Sequence, residues 1–163
     1  MLTERFRLAA RVPADRPDAW VLDVTYTLTA LVGRDVTLGS PVTNGRPEGA
    51  GYGGFFWRAP PSDQPPRVQT AAAEGEASVN GSTEQWVAMT DDRYGLVFAG
   101  LAEGDHWFVR AGGYPGVCAA LAYRQPRVIL GGTSLTRRHA VAVLDGPVAH
   151  DIATEIAQRQ GYP

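Results

Sequence analysis

From Trp20 to Ala30 the sequence WVLDVTYTLTA alternates without a break, with Trp20, Leu22, Val24, Tyr26, Leu28 and Ala30 on one side and Asp23, Thr25, Thr27 and Thr29 on the other. Period two sustained over this length specifies an antiparallel strand that buries one face against a second layer. Glu4 to Val12 reads as a preceding strand, and Pro13 to Asp18 supplies the turn between them. Further strands are predicted at Arg34 to Leu38, Tyr52 to Arg58, Glu84 to Thr90, Tyr94 to Gly100, His106 to Arg110, Val117 to Tyr123 and Arg137 to Leu144. Short strands between closely spaced Gly, Pro and Asp turns predict an all-β antiparallel β-sandwich. A C-terminal α-helix is expected after Asp145-Gly146-Pro147, where Val148, Ile152 and Ile156 recur at helical spacing up to Gly161. It is expected across an end or edge of the sandwich. Ser62 to Asn80 holds few large apolar residues and reads as a long loop. With 163 residues the whole chain, 1–163, fits a single domain.

Composition narrows the function. A net charge of -2 offers no basic field for nucleic acid or for an acidic membrane surface, so neither is expected as a partner. All 15 basic residues are arginine, which excludes lysine Schiff-base chemistry. A single Cys118 excludes an internal disulfide and a thiolate zinc cluster, and its apolar neighbours predict a buried, inert thiol. The first residues lack the apolar core of a signal peptide and no run reaches transmembrane length, so a cytoplasmic location is expected. The three histidines His106, His139 and His150 form no metal-binding motif; no metal or cofactor is called for. His139 is expected on a solvated strand edge and His150 on the exposed side of the helix. Asp91-Asp92 reads as a hairpin turn, Glu74 and Glu76 as solvated loop carboxylates, and no G-x-S-x-G elbow occurs. Catalytic residues are therefore unassigned.

The stretch Thr43 to Pro61, TNGRPEGAGYGGFFWRAPP, is the densest in signals. Glycines beside arginines suggest a phosphate loop, yet the lysine and following helix of that motif are missing. A loop feeding a strand fits better. Alternation over Gly54 to Arg58 puts Phe55 and Trp57 on one face, and Gly54, Phe56 and Arg58 on the other. An aromatic ring beside a forked guanidinium suits a sugar, whose C–H face packs on the ring while its oxygens accept paired hydrogen bonds. Asn44 and Arg46 on the preceding loop, together with Tyr52, complete a candidate binding set with Phe56 and Arg58. In DHWFVR the spacing Phe108-x-Arg110 repeats Phe56-x-Arg58; the repeat alone does not establish that these strands neighbour each other, and chance recurrence is the simpler reading.

LGSPVTNGRPEGAGYGGFFWRAP, followed by HWFVRAGGYPGVCAALAY and LTRRHAVAVLDG, resembles the PmoA-like family of bacterial proteins, commonly labelled methane oxygenase. The resemblance runs from Arg5 to Gly146, and Gly51 to Arg58 is its most specific part. It implies part of a galactose-mutarotase-like supersandwich, and a carbohydrate or polyol ligand in bacterial sugar catabolism. Members of that family are about twice this length and carry an upstream histidine-rich motif, which implies that this chain corresponds to a C-terminal half. A half-sandwich would leave a sheet edge open for a partner chain or a second copy, making a non-catalytic interaction module the main alternative. The label itself implies a metal-dependent oxygenase, for which neither spanning segments nor ligand clusters are present in the sequence.

Overall fold

The alternating run becomes β2 (Ala19–Ala30) in a computed structural model that describes residues 1–46 and 49–159. It pairs antiparallel with β1 (Leu2–Arg11) on one side and with β11 (Ser134–Asp145) on the other. With β5 (Arg67–Gln69), β6 (Trp86–Thr90) and β7 (Tyr94–Ala99), these strands form a six-stranded sheet in the order β1-β2-β11-β7-β6-β5. Val24, Tyr26 and Leu28 turn inward, whereas on the opposite face Thr27 bonds to Thr136 at 2.9 Å and Thr29 to Ser134 at 2.7 Å. Trp20 departs from the expected pattern and is 41% exposed; at this end of β2 it is Ala19 and Val21, on the other face, that are buried beneath the C-terminal helix.

The second layer is a three-stranded sheet, order β4-β9-β8, of Gly54–Arg58 (β4), Gly116–Ala120 (β9) and His106–Arg110 (β8). A short pair, β3 (Val36–Leu38) with β10 (Arg127–Ile129), lies beside it. Phe55, Trp57, Trp107, Val109, Val117 and Ala119 interleave with Leu22, Met89, Leu96, Phe98 and Val141 of the large sheet. The chain is thus an antiparallel β-sandwich with one C-terminal helix, α2 (His150–Arg159). Gly161, the expected end of that helix, lies outside the described residues.

Two expectations are corrected. The helix α2 does not lie across an end: Val148, Ala153 and Ile156 pack on the outer face of the large sheet against Trp86, Ala88, Val97, Ala140, Ala142 and Leu144. Alanines at 88, 140 and 142 make that face shallow enough to seat a helix. The segment Ser62 to Asn80 contains β5 and a short helix, α1 (Glu76–Val79), each anchored by one fully buried valine, Val68 and Val79. Glu76, though exposed, accepts from the backbone N–H of Ala111 at 2.7 Å and of Gly112 at 3.4 Å, which ties α1 to the end of β8.

His139 is also placed differently from expectation. β11 lies between β2 and β7 rather than at an edge, so both Arg137 and His139 point inward and are buried. Arg137 meets Asp105, the residue before β8, with Nε at 2.5 Å and Nη2 at 3.0 Å. Arg127 on β10 reaches the same carboxylate at 2.8 Å, and the Asp105 side chain has no exposed surface. His139 stacks on Phe55 with ring centroids 5.6 Å apart, and Tyr26 stands 5.9 Å away. Among the described residues neither ring nitrogen of His139 nor the Tyr26 hydroxyl has a partner at hydrogen-bonding distance and angle, and the nearest polar groups are the backbones of Gly100 and Phe55.

Asp105→Asn removes the charge that the buried Arg137 and the half-buried Arg127 share, and it is expected to lower the unfolding free energy in urea by about 3–5 kcal/mol. Burial also pulls the pKa of His139 down to about 4, from an ordinary value of 6.5, despite the favourable charge of Asp105; Arg137 opposes protonation as well. Between those values the unfolded chain takes up a proton that the folded chain refuses. Stability therefore falls as pH drops from 6.5 toward 4, by about 3 kcal/mol from this residue. Unfolding curves at pH 7 and pH 4.5 are expected to differ less for His139→Phe than for the wild type.

Candidate functional site

The outer face of the small sheet carries the candidate site. Both β4 and β8 pair with β9, so two residues that recur in the sequence also recur in space. Phe56 and Phe108 both stand opposite Cys118, and Arg58 and Arg110 both stand opposite Gly116. Strand alternation sends Phe55, Trp57, Trp107 and Val109 into the core and the two Phe-x-Arg pairs outward.

Glycine permits this arrangement at two points. Gly54 opens β4 with φ of +146°, and a Cβ there would lie 2.2 Å from the carbonyl oxygen of Ala119. Gly54 thus permits close approach of β4 to β9, while Gly51 makes room for the Tyr123 ring. At Gly116 a Cβ would meet Phe56 Cε1 and the Trp57 carbonyl oxygen, each at 2.9 Å. With small residues at Gly116, Cys118 and Ala120, the Phe56 and Phe108 rings meet across β9 at 5.9 Å. Tyr52 stands edge-on to both, at 6.3 Å from Phe56 and 5.3 Å from Phe108.

Tyr114, in the turn between β8 and β9, links the two arginines. The guanidinium carbon of Arg58 is 5.2 Å from the Tyr114 ring centre and that of Arg110 is 4.8 Å from it. Arg58 also lies over Phe56 at 5.6 Å, and Arg110 over Phe108 at 6.0 Å. Arg110 Nη1 donates to the Tyr114 hydroxyl at 2.5 Å. Tyr52, Phe56, Arg58, Phe108 and Tyr114 line an open cavity of about 550 Å³. Guanidiniums that lie over rings keep most of their N–H groups for other acceptors. Among the described residues neither Arg58 nor Arg110 has a carboxylate partner, whereas Arg93, Arg127 and Arg137 all do.

Of the residues expected from the sequence, Tyr52, Phe56 and Arg58 come together in this cavity. Arg46 reaches its rim, with Nη1 3.4 Å from the Tyr52 hydroxyl. Asn44 is occupied elsewhere: it ends a turn of 3-10 helix (Val42–Asn44), and its amide donates to the Ser40 carbonyl at 2.8 Å. Phe108, Arg110 and Tyr114 were not in the expected set; the repeated Phe-x-Arg spacing was the signal for the first two. Cys118 lies beneath the rings, fully buried, and burial pushes its thiol up to about 12, in keeping with an inert role. Among the described residues no group of three or more His, Cys, Asp or Glu is placed to share a metal ion. No described helix is long and apolar enough to cross a membrane.

The model of a family of unknown function, DUF6807, matches residues 1–158. The chain belongs to that family. The match takes in every residue of the cavity, and the family's description assigns no activity, so the methane-oxygenase label implied by the PmoA resemblance finds no support in it. No curated protein matches this DUF6807 chain.

Proposed function

We propose that this DUF6807 chain binds a carbohydrate or polyol on the outer face of its small sheet, as a cytoplasmic component of bacterial sugar catabolism. The observation that carries the reading is the pair of in-register Phe-x-Arg strands whose arginines have no acidic partner among the described residues. Aromatic rings offer flat apolar surface to the C–H face of a sugar, and the stacked guanidiniums offer fixed donor edges to its oxygens. Tyr114, 48% exposed, and Phe56 are the stacking surfaces; Arg58 and Arg110 orient the oxygens, with Arg46 and the Tyr52 hydroxyl at the rim. A cavity of about 550 Å³ falls in the range of small-molecule sites. No pair of groups in the cavity is arranged as nucleophile and base, so the reading is one of binding.

A second reading rests on β1. That strand pairs only with β2, its other edge is open among the described residues, and Phe6 and Leu8 are 49% and 54% exposed. Self-association through this edge fits those features. A concentration-dependent shift to dimer in sedimentation velocity, abolished by Leu8→Pro, is the expected result; a monomer at every concentration overturns it.

For the binding reading, thermal unfolding is followed with monosaccharides, sugar acids and polyols. A ligand at a hundred times its dissociation constant is expected to add about 2.7 kcal/mol and raise the midpoint by roughly 5–10 °C. Arg58→Ala is expected to abolish that shift, and an unchanged shift in the variant overturns the site.

A further inference from the structure

We infer that the ligand of this cavity carries a carboxylate, which makes sugar acids, the uronates and aldonates, its substrate class, with Arg58 and Arg110 as the residues that select them. The inference rests on the carbohydrate reading and goes beyond it by choosing acidic over neutral sugars.

Its basis is a concentration of positive charge that no acid among the described residues compensates. Arg58 and Arg110 hold their guanidiniums against one ring, that of Tyr114, and the rim adds Arg46 through Tyr52. The acids that approach from packed elements are already engaged. Glu76 accepts from the backbone N–H groups of Ala111 and Gly112, Asp91 bonds to Arg93 and Ser62, and Asp105 is buried between Arg127 and Arg137. None of these carboxylates comes within ion-pair distance of Arg46, Arg58 or Arg110. In a chain whose net charge is -2, a local set of cations that has no carboxylate partner among the described residues is a site for an anion.

The form of the site favours carboxylate over phosphate. Phosphate sites characteristically combine charge with backbone N–H groups at a helix N-terminus or in a glycine nest. Here the lining consists of side chains on strands, a turn and the Tyr52 loop, and none of the described lining residues belongs to a helix. Two planar forks, fixed by stacking on Tyr114, match the planar, two-oxygen edge of a carboxylate, while Phe56 and the exposed part of Tyr114 receive the sugar carbons. A neutral sugar at the same place would leave both guanidiniums without a counter-charge.

Calorimetric titration of the purified chain with galacturonate, glucuronate and gluconate, beside galactose, glucose, glucose 6-phosphate and sodium sulfate, tests the inference. At least one sugar acid is expected to bind ten-fold or more tightly than its neutral counterpart, with affinity that falls as sodium chloride is raised. Arg110→Gln is expected to remove that ten-fold preference while leaving the unliganded melting temperature within a few degrees; Arg58→Gln serves as the second variant should Arg110→Gln fail to fold. Equal affinity for acid and neutral sugars overturns the carboxylate and leaves the carbohydrate reading standing. Tighter binding of glucose 6-phosphate or sulfate than of every sugar acid also overturns it, in favour of a phosphate or sulfate ligand. If no sugar of any kind binds, the carbohydrate reading falls and this inference with it.

Discussion

The buried carboxylate of Asp105 holds the two layers of this molecule in register. It sits at the threshold of β8 and is gripped by Arg137 from β11 in the large sheet and by Arg127 from β10. A lone carboxylate with no exposed surface would be strongly unfavourable, and the two guanidiniums compensate its desolvation while being fixed by it. Hydrophobic contact alone would tolerate a sliding of one sheet over the other. The directional bonds to Asp105 do not, and they set where β8 begins and therefore which of its residues face outward.

The outer face follows from that placement. Once His106, Phe108 and Arg110 face out from β8, and Phe56 and Arg58 from β4, the small side chains of β9 let the two strands bring their rings together. The contrast between the molecule's arginines is informative. Arg127 and Arg137 are consumed in holding the fold, and Arg93 closes a turn with Asp91, whose pKa that contact and a bond from Ser62 lower to about 2 despite partial desolvation. Arg58 and Arg110 lie over Tyr114 and, among the described residues, have no carboxylate partner. Arginines with a structural task are neutralised here; those facing the cavity are kept in position by aromatic rings and left charged.

Local pattern made much of this legible. Strand alternation identified β2 and the central strands, proline and helical spacing identified α2, and the apolar surroundings of Cys118 predicted its burial. What was hidden depended on partners remote in the chain. Arg137 and His139 look like surface residues until β11 is seen between β2 and β7, because only then does their inward face become interior. The position of α2 depended on outward alanines from β6 and β11, which have no local signature of a helix seat. The repeated Phe-x-Arg spacing was visible, but β4 and β8 are neighbours only through β9, whose small residues read as ordinary core. Asn44 is engaged locally instead of lining the cavity: an asparagine near a turn commonly bonds its own backbone, as it does here.

Ligand binding at the outer face of the small sheet, as proposed, is open to direct test. The most direct measurement is a heteronuclear NMR titration with galacturonate that follows backbone amides together with the arginine Nε–H groups. Shifts are predicted at Arg58 and Arg110 Nε–H and at the amides of Phe56, Gly116 and Tyr114. Shifts confined instead to another cavity, such as the apolar one of about 380 Å³ lined by Glu4, Phe6, Tyr26 and Phe55, would contradict binding at this face.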